Sequence, residues 1–378
     1  MAIDIGLPDA YEDLSTRLVN NEKVQDTADL MRRTRTWLHV LVLGHILHVD
    51  AGDFLTFKLV GDARRSRILL DNPYSTALDR FLFAQVELNV LRAKIFTSLS
   101  THTKEDDEDI LSIVRDSKID IDLWYSDWER LVQNIDPQQP WIPINLRVQK
   151  CWAETMAFCR AVREAGVENV DLMSSSQRSI LEMAKESLRR HLDTIIAEPR
   201  LYLHNLRYAM DFVWAKCAFC YLLLLKLCVL LPSENSRLND DLVAYGEVLS
   251  SELSEAGGSI VSGIRNNTGK MYLQLLQTGT EKFTRALRGD YGTSQTGSAG
   301  DGDGQAQHSP EARFAGGGQH ELDSFVPDQF VFEWDFPGLT LFSSSTTGIG
   351  WLDDILLGAL NGGGDFYTFM GGPGDSGE

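Results

Sequence analysis

Cys217-x-x-Cys220 is the spacing in this chain most often tied to chemistry, since two thiols at that interval serve disulfide exchange or hold zinc. Redox use goes with a neighbouring strand–helix–strand pattern, and zinc needs a second ligand pair. The apolar stretch from Phe212 to Leu231 supplies neither. Cys151, Cys159 and Cys228 also lie in apolar helical stretches, so all five cysteines are expected as reduced core thiols. His39, His45 and His48 share one predicted helix, and His45 with His48 could face a metal, yet only Asp50 and Asp53 stand near as further ligands. Helix packing or surface exposure accounts for them. The run Glu105-Asp106-Asp107-Glu108-Asp109 fails a DDxxD magnesium pattern, which needs an acid where Ile110 stands, and reads as a solvated helix start. Gly263 to Met271 is one residue too long between its glycines for a phosphate loop, and Met271 replaces the hydroxyl that would hold magnesium. Neither a GxSxG elbow nor an HExxH pair occurs. These residues predict no catalytic site, no metal and no cofactor, and the chain is not expected to be an enzyme.

Two basic clusters, Arg32-Arg33-x-Arg35 and Arg64-Arg65-x-Arg67, could attract phosphate or an acidic partner, including the chain's own C-terminal segment. Ion-paired or surface arginines are the plainer expectation. The C-terminal segment is the more informative feature. Residues 291–378 hold thirteen Asp or Glu against the single base Arg313, and nineteen of the 31 glycines. Aromatic and aliphatic side chains nevertheless cluster there, with Phe330, Phe332, Trp334 and Phe336 interleaved with Glu333 and Asp335, and Trp351, Ile355 and Leu356 flanking Asp353 and Asp354. Like charge and glycine prevent burial sufficient to offset ordering entropy, so this tail is predicted to be disordered when free. Acidic residues alternating with apolar ones are the composition of an amphipathic activation domain. Phe330, Phe332, Trp334, Phe336, Trp351, Ile355 and Leu356 are the predicted coactivator-binding residues, the last three suited to a short helix lying in a partner's groove.

The remainder reads almost entirely as helix, with little period-two alternation. Predicted helices run from Asp26 to about Val49, from Asn72-Pro73 through Leu99, from Ile110 through Leu131, from Leu146 to Ala165, from Ser176 to Ala197, and through the apolar stretch Phe212–Leu231. Pro137, Pro140 and Pro143 mark a break, and a last region, Leu238 to Leu287, is interrupted at Gly257-Gly258 and at Gly269. The fold class is therefore all-α, an irregular domain of eight to ten helices over residues 1–288. A Gly-rich flexible linker follows over 289–320, then the acidic, aromatic tail over 321–378.

The formal charge of −19 leaves 34 bases against 41 acids in the first 290 residues, so neither part carries a basic footprint for nucleic acid. The N-terminal Met1-Ala2-Ile3-Asp4 shows no basic region followed by an apolar run, so no secretory signal is expected. Phe212–Leu231 is long enough to span a bilayer, but Lys216 and Lys226 would each cost roughly 2.5 to 3.5 kcal/mol at mid-membrane. A buried core helix with its lysines reaching toward the ends or the surface is predicted instead.

Three phrases resemble the regulatory middle region of fungal binuclear zinc-cluster (Zn2Cys6) transcription factors. Ala2-Ile3-Asp4-Ile5-Gly6-Leu7-Pro8 is similar to that family's A-x-D-L-G-L helix end, Arg33-Thr34-Arg35-Thr36-Trp37-Leu38 to its R-x-R-T-W signature, and Ala218-Phe219 with Leu224-Leu225-Lys226-Leu227 to its long core helix. Gly44-His45 stands where the family commonly carries an Asp, and Gly52-Asp53-Phe54 where it carries G-R-P. The resemblance implies a nuclear regulator whose helical, dimerisation-competent body, N-terminally truncated and lacking the six-cysteine DNA-binding domain, presents the tail to coactivators. Homo-oligomers are an implied partner; direct nucleic-acid or membrane contact is not. Two alternatives remain from the residues: an all-α enzyme resembling isoprenoid cyclases, with metal on the 105–109 carboxylates, and an interaction protein anchored by one span at 212–231.

Overall fold

The structure, a computed structural model, describes residues 6–20, 27–49, 67, 69–101, 107–132, 139–164, 173–209, 211–231, 236–258 and 265–287. Among these residues the regular elements are helical and none is a strand, so the chain is all-α as its periodicity predicts. The helices are α1 (Leu7–Val19), α2 (Thr27–Val49), α3 (Ala77–Thr101), α4 (Asp107–Val132), α5 (Trp141–Glu164), α6 (Ser175–Ala197), α7 (Asp211–Leu230), α8 (Ser236–Gly258) and α9 (Arg265–Leu287), with a 3-10 turn over Leu203–Tyr208 before α7. Sequence neighbours from α1 to α7 pack on one another, and α3 also touches α5 as α4 touches α6. The helices α8 and α9 pair, α9 lies on α7, and α8 meets the 3-10 turn.

Local chemistry sets the helix boundaries. Ser174 and Gln177 form a reciprocal capping box that starts α6 one residue before the predicted Ser176. Gly6 caps α1 in the left-handed conformation, φ 66°, which glycine adopts without penalty. The predicted opening of α3 at Asn72-Pro73 is corrected. Asn72 instead makes a turn, its Oδ1 accepting from Tyr74 N at 2.9 Å, and Asp79 caps Thr76 N at 2.7 Å, so α3 begins at Ala77. Two predicted breaks are also corrected. Pro143 sits in the first turn of α5, where its missing N–H needs no partner, and Gly269 is carried inside α9.

The core is organised around α7, whose Leu222, Leu223, Leu224, Leu225 and Leu227 all have zero exposure. Burying each leucine contributes roughly 2 kcal/mol relative to leaving it in water. Phe212–Leu230 is long and apolar enough to cross a membrane, and 89% of that window is buried within the helical body. Its lysines correct the expectation that they reach outward: Lys216 is 8% exposed and Lys226 is fully enclosed.

Tyr221 joins three helices. Its hydroxyl donates to Leu242 O on α8 at 3.1 Å and lies 2.8 Å from Thr280 Oγ1 on α9. Gly246 on α8 makes this approach feasible, since a methyl there would overlap Tyr221 Oη and Thr280 Oγ1; Gly279 on α9 is similarly closed by Leu222. Tyr221→Phe is expected to destabilise the body by about 1 kcal/mol, and Gly246→Ala by more, through overpacking of about 1–3 kcal/mol. Urea unfolding followed by circular dichroism checks both, and a Gly246→Ala variant as stable as the parent would contradict the packing.

Candidate functional site

The helices bring together a nest of buried ionisable groups separated by up to 128 residues in sequence. Arg92 comes from α3, Cys151, Trp152 and Cys159 from α5, His191 from α6, and Lys216, Cys217 and Cys220 from α7, with Tyr202 preceding the 3-10 turn; every one is buried. The Lys216 ammonium sits over the indole of Trp152, 4.7 Å from the ring centroid, and Phe219 meets that ring edge-on at 6.2 Å. His191 Nδ1 lies 3.8 Å from Cys220 Sγ. Arg92 Nη1 donates to Asn89 Oδ1 at 3.4 Å.

Desolvation dominates the electrostatics, because a low-dielectric interior disfavours whichever form is charged. It pushes Cys151 up to about 11 and Cys159 and Cys217 to about 12, with Cys220 raised as well. The thiols are therefore protonated and poor nucleophiles. Burial lowers Arg92 to about 9, His191 to about 3 with the Lys216 charge adding to the effect, and Lys216 to about 8. The neighbouring thiols oppose that lowering of Lys216, while Arg92 reinforces it. Two cations thus share one interior region.

Buried carboxylates elsewhere are matched to cations or donors. Glu154, with zero exposure, accepts from Ser187 Oγ at 2.5 Å and from Arg190 Nη2 at 3.0 Å. Glu87 accepts from Arg67 Nε and Nη2, each at 2.6 Å, and from the Trp128 indole N–H at 2.9 Å. Lys185 shows the structural use of a buried lysine: it donates to Leu231 O at 2.6 Å, at the carbonyl-rich end of α7.

The arginines of α2 are engaged in architecture. Arg33 Nη2 donates to Gly6 O at 3.0 Å, Arg35 grips Asp79 at 2.6 and 2.8 Å and donates to Tyr74 O, and Arg32 pairs with Asp29. Arg64 and Arg65 lie outside the described residues, as do Glu105 and Asp106. Asp107 and Glu108 are more than a solvated helix start, since they accept from Gln177 Nε2 at 3.3 Å and Ser176 Oγ at 3.0 Å and so tie α4 to the start of α6. His39 and His45 each engage a backbone carbonyl one turn back, at 2.8 and 2.9 Å. His45 is buried in the helix packing and His39 is exposed, while the side chain of His48 is outside the described set. Arg265 to Met271, the later part of the supposed phosphate loop, is helix. All five cysteines are free and buried, Cys217 and Cys220 included. Among the described residues no group of three or more His, Cys, Asp or Glu is placed to hold a metal.

The predicted coactivator-binding residues Phe330, Phe332, Trp334, Phe336, Trp351, Ile355 and Leu356 all lie outside the described residues. The nest itself was missed by sequence reasoning. Its available signal was a lysine inside an otherwise apolar helix, and its other members come from three further helices. No family model, curated protein or solved structure matches this chain.

Two consequences are measurable. His191 is unprotonated in the folded body down to about pH 3, whereas an exposed imidazole titrates near 6.5, so the unfolded chain binds the extra proton and stability falls as pH drops through that window. Between these values the folding equilibrium constant of the parent is expected to fall by up to about a further tenfold per pH unit relative to His191→Gln, read from urea unfolding curves. Lys216 gives a depression on the alkaline side: its destabilisation is complete below about pH 8 and relieved as pH rises toward 10.5. Lys216→Met is expected to raise stability at pH 7 by on the order of 2 kcal/mol, with the gain shrinking as pH rises from about 8 toward 10.5 in the same assay.

Proposed function

We propose that this chain is a transcription regulator, a helical regulatory body that presents an acidic, aromatic tail to coactivator proteins in the nucleus. The observation that carries this reading is the composition of residues 291–378, where thirteen acids face a single arginine and bulky apolar residues are set among them. Mutual carboxylate repulsion keeps Phe330, Phe332, Trp334, Phe336, Trp351, Ile355 and Leu356 from forming a core of their own, so a partner's apolar groove supplies what they lack. Asp335, Asp353 and Asp354 maintain that exposure.

The phrases behind the zinc-cluster resemblance support the reading from the other end of the chain. Gly6 and Arg33 belong to different phrases and are joined by a 3.0 Å hydrogen bond, while the third phrase is α7, around which the body packs. They are parts of one folded unit. The acidic balance of both body and tail gives no electrostatic footprint for DNA, so the regulator works through protein partners, a second copy of the chain among them.

Tethered to an unrelated DNA-binding domain, the whole chain and residues 320–378 alone are expected to activate a reporter. Combining Trp334→Ala with Trp351→Ala is expected to reduce that activity severalfold at equal protein level. A silent tail fusion, or a double variant as active as its parent, contradicts the reading.

A further inference from the structure

We propose that Lys150 of α5 is a two-position clamp, bonded to Asp122 of α4 in this structure and passing to Glu154 of its own helix when the seam between α4 and α5 shifts. Lys150 Nζ lies 2.6 Å from Asp122 Oδ1 and 3.8 Å from Glu154 Oε1. Only the shorter contact is within hydrogen-bond range. Glu154 has zero exposure, and its Oε2 accepts from Ser187 Oγ at 2.5 Å and Arg190 Nη2 at 3.0 Å, whereas its buried Oε1 has no hydrogen-bond partner. A buried acceptor in that state is disfavoured, and an ammonium stands about 1 Å beyond bonding distance.

Asp122 makes the exchange possible because it does not depend on Lys150 alone. Its Oδ2 accepts from Lys118 Nζ at 2.6 Å, a lysine one turn back on α4 itself. When Lys150 leaves, Asp122 keeps a cation and Glu154 gains a second. Removing one partner of a buried ion pair is strongly destabilising, and an exchange that keeps both carboxylates matched avoids that loss.

A contrast between the two sides of α4 locates the device. Toward α3, Trp124 Nε1 donates to Ala84 O at 3.0 Å and Trp128 Nε1 to Glu87 Oε2 at 2.9 Å, and Arg67 fills both Glu87 oxygens. Toward α5 the other polar contacts are looser: Lys150 stands 5.0 Å from the Tyr125 ring centroid, and Arg147 Nε donates to Tyr125 Oη at 3.4 Å. The α5 side is where partners can change. Glu154 carries the change onward to α6 through Ser187 and Arg190, so a displacement at α4 reaches three helices. Two discrete arrangements of one seam are what a switching element requires.

The clamp goes beyond the tail's recruitment role, and each can fail alone. The first test is the crystal structure of the full chain carrying Asp122→Ala, a change at a partly exposed position. Lys150 Nζ is expected to close on Glu154 Oε1, from 3.8 Å to about 2.8 Å. A lysine left at its present distance, or turned to solvent, overturns the clamp. The second is a double-mutant cycle of Lys150→Met with Glu154→Gln, measured by urea unfolding in the parent and again in Asp122→Ala. Expressed as a ratio of unfolding equilibrium constants, the coupling is expected to rise about fivefold once Asp122 is gone. Equal coupling in the two backgrounds contradicts the exchange. Should Glu154→Gln not fold, the Asp122→Ala structure decides by itself.

Discussion

A helix that is apolar on all faces must be surrounded, and this requirement on α7 governs the rest of the body. Asp211–Leu230 has no solvent face to spare, so α6 and α9 lie along it and side chains from α5 close in across Trp152. Close wrapping then dictates details far from α7 in sequence. Gly246 and Gly279 are small because Tyr221 and Leu222 need the space, and the Tyr221 hydroxyl, trapped between α8 and α9, takes its partners from both. Packing and polar satisfaction are one problem at this junction.

The same wrapping turns the lysines near α7 into three different physical situations. Lys185 on α6 approaches the C-terminal end of α7, where carbonyls welcome a cation. Lys226 is enclosed completely, without a measurable path to water. Lys216 lies against an indole beside another cation, and its charge is held at the expense of stability. Residues kept at such a position commonly serve function rather than folding. That difference among chemically identical side chains is what singles out the nest.

Periodicity made the fold class and most helix spans legible, because amphipathic α4 and α6 write their buried stripes directly into sequence: Ile110, Val114, Ile121 and Trp128, and Ile180, Ala184, Leu188 and Ile195, are all buried. Punctuation was less legible. Pro143 and Gly269 carry the residue types of breaks, yet one falls in a first turn and the other is tolerated by tertiary packing, whereas Asp79 fixes a helix start through a side chain three residues beyond it. The nest was illegible for a stronger reason. Arg92, Cys151, His191 and Lys216 come from four helices with no shared spacing, and a lysine in an apolar run gives no sign of whether it reaches water or is walled in. The tail residues proposed to bind coactivators lie outside the described residues, and composition alone carries that proposal.

Charge bears on how body and tail divide their work. The tail carries thirteen acids and one base, and the first 290 residues hold seven more acids than bases, so the two parts repel on average. Screening confines this repulsion to about 8 Å at physiological ionic strength. A local basic surface could therefore still draw the tail in, and α2 offers the densest described cluster. Its guanidiniums, however, already answer to Gly6 O, Asp79, Tyr74 O and Asp29, and recruiting them would loosen α1 and the start of α3. Holding the tail against α2 would thus require breaking contacts that build the body.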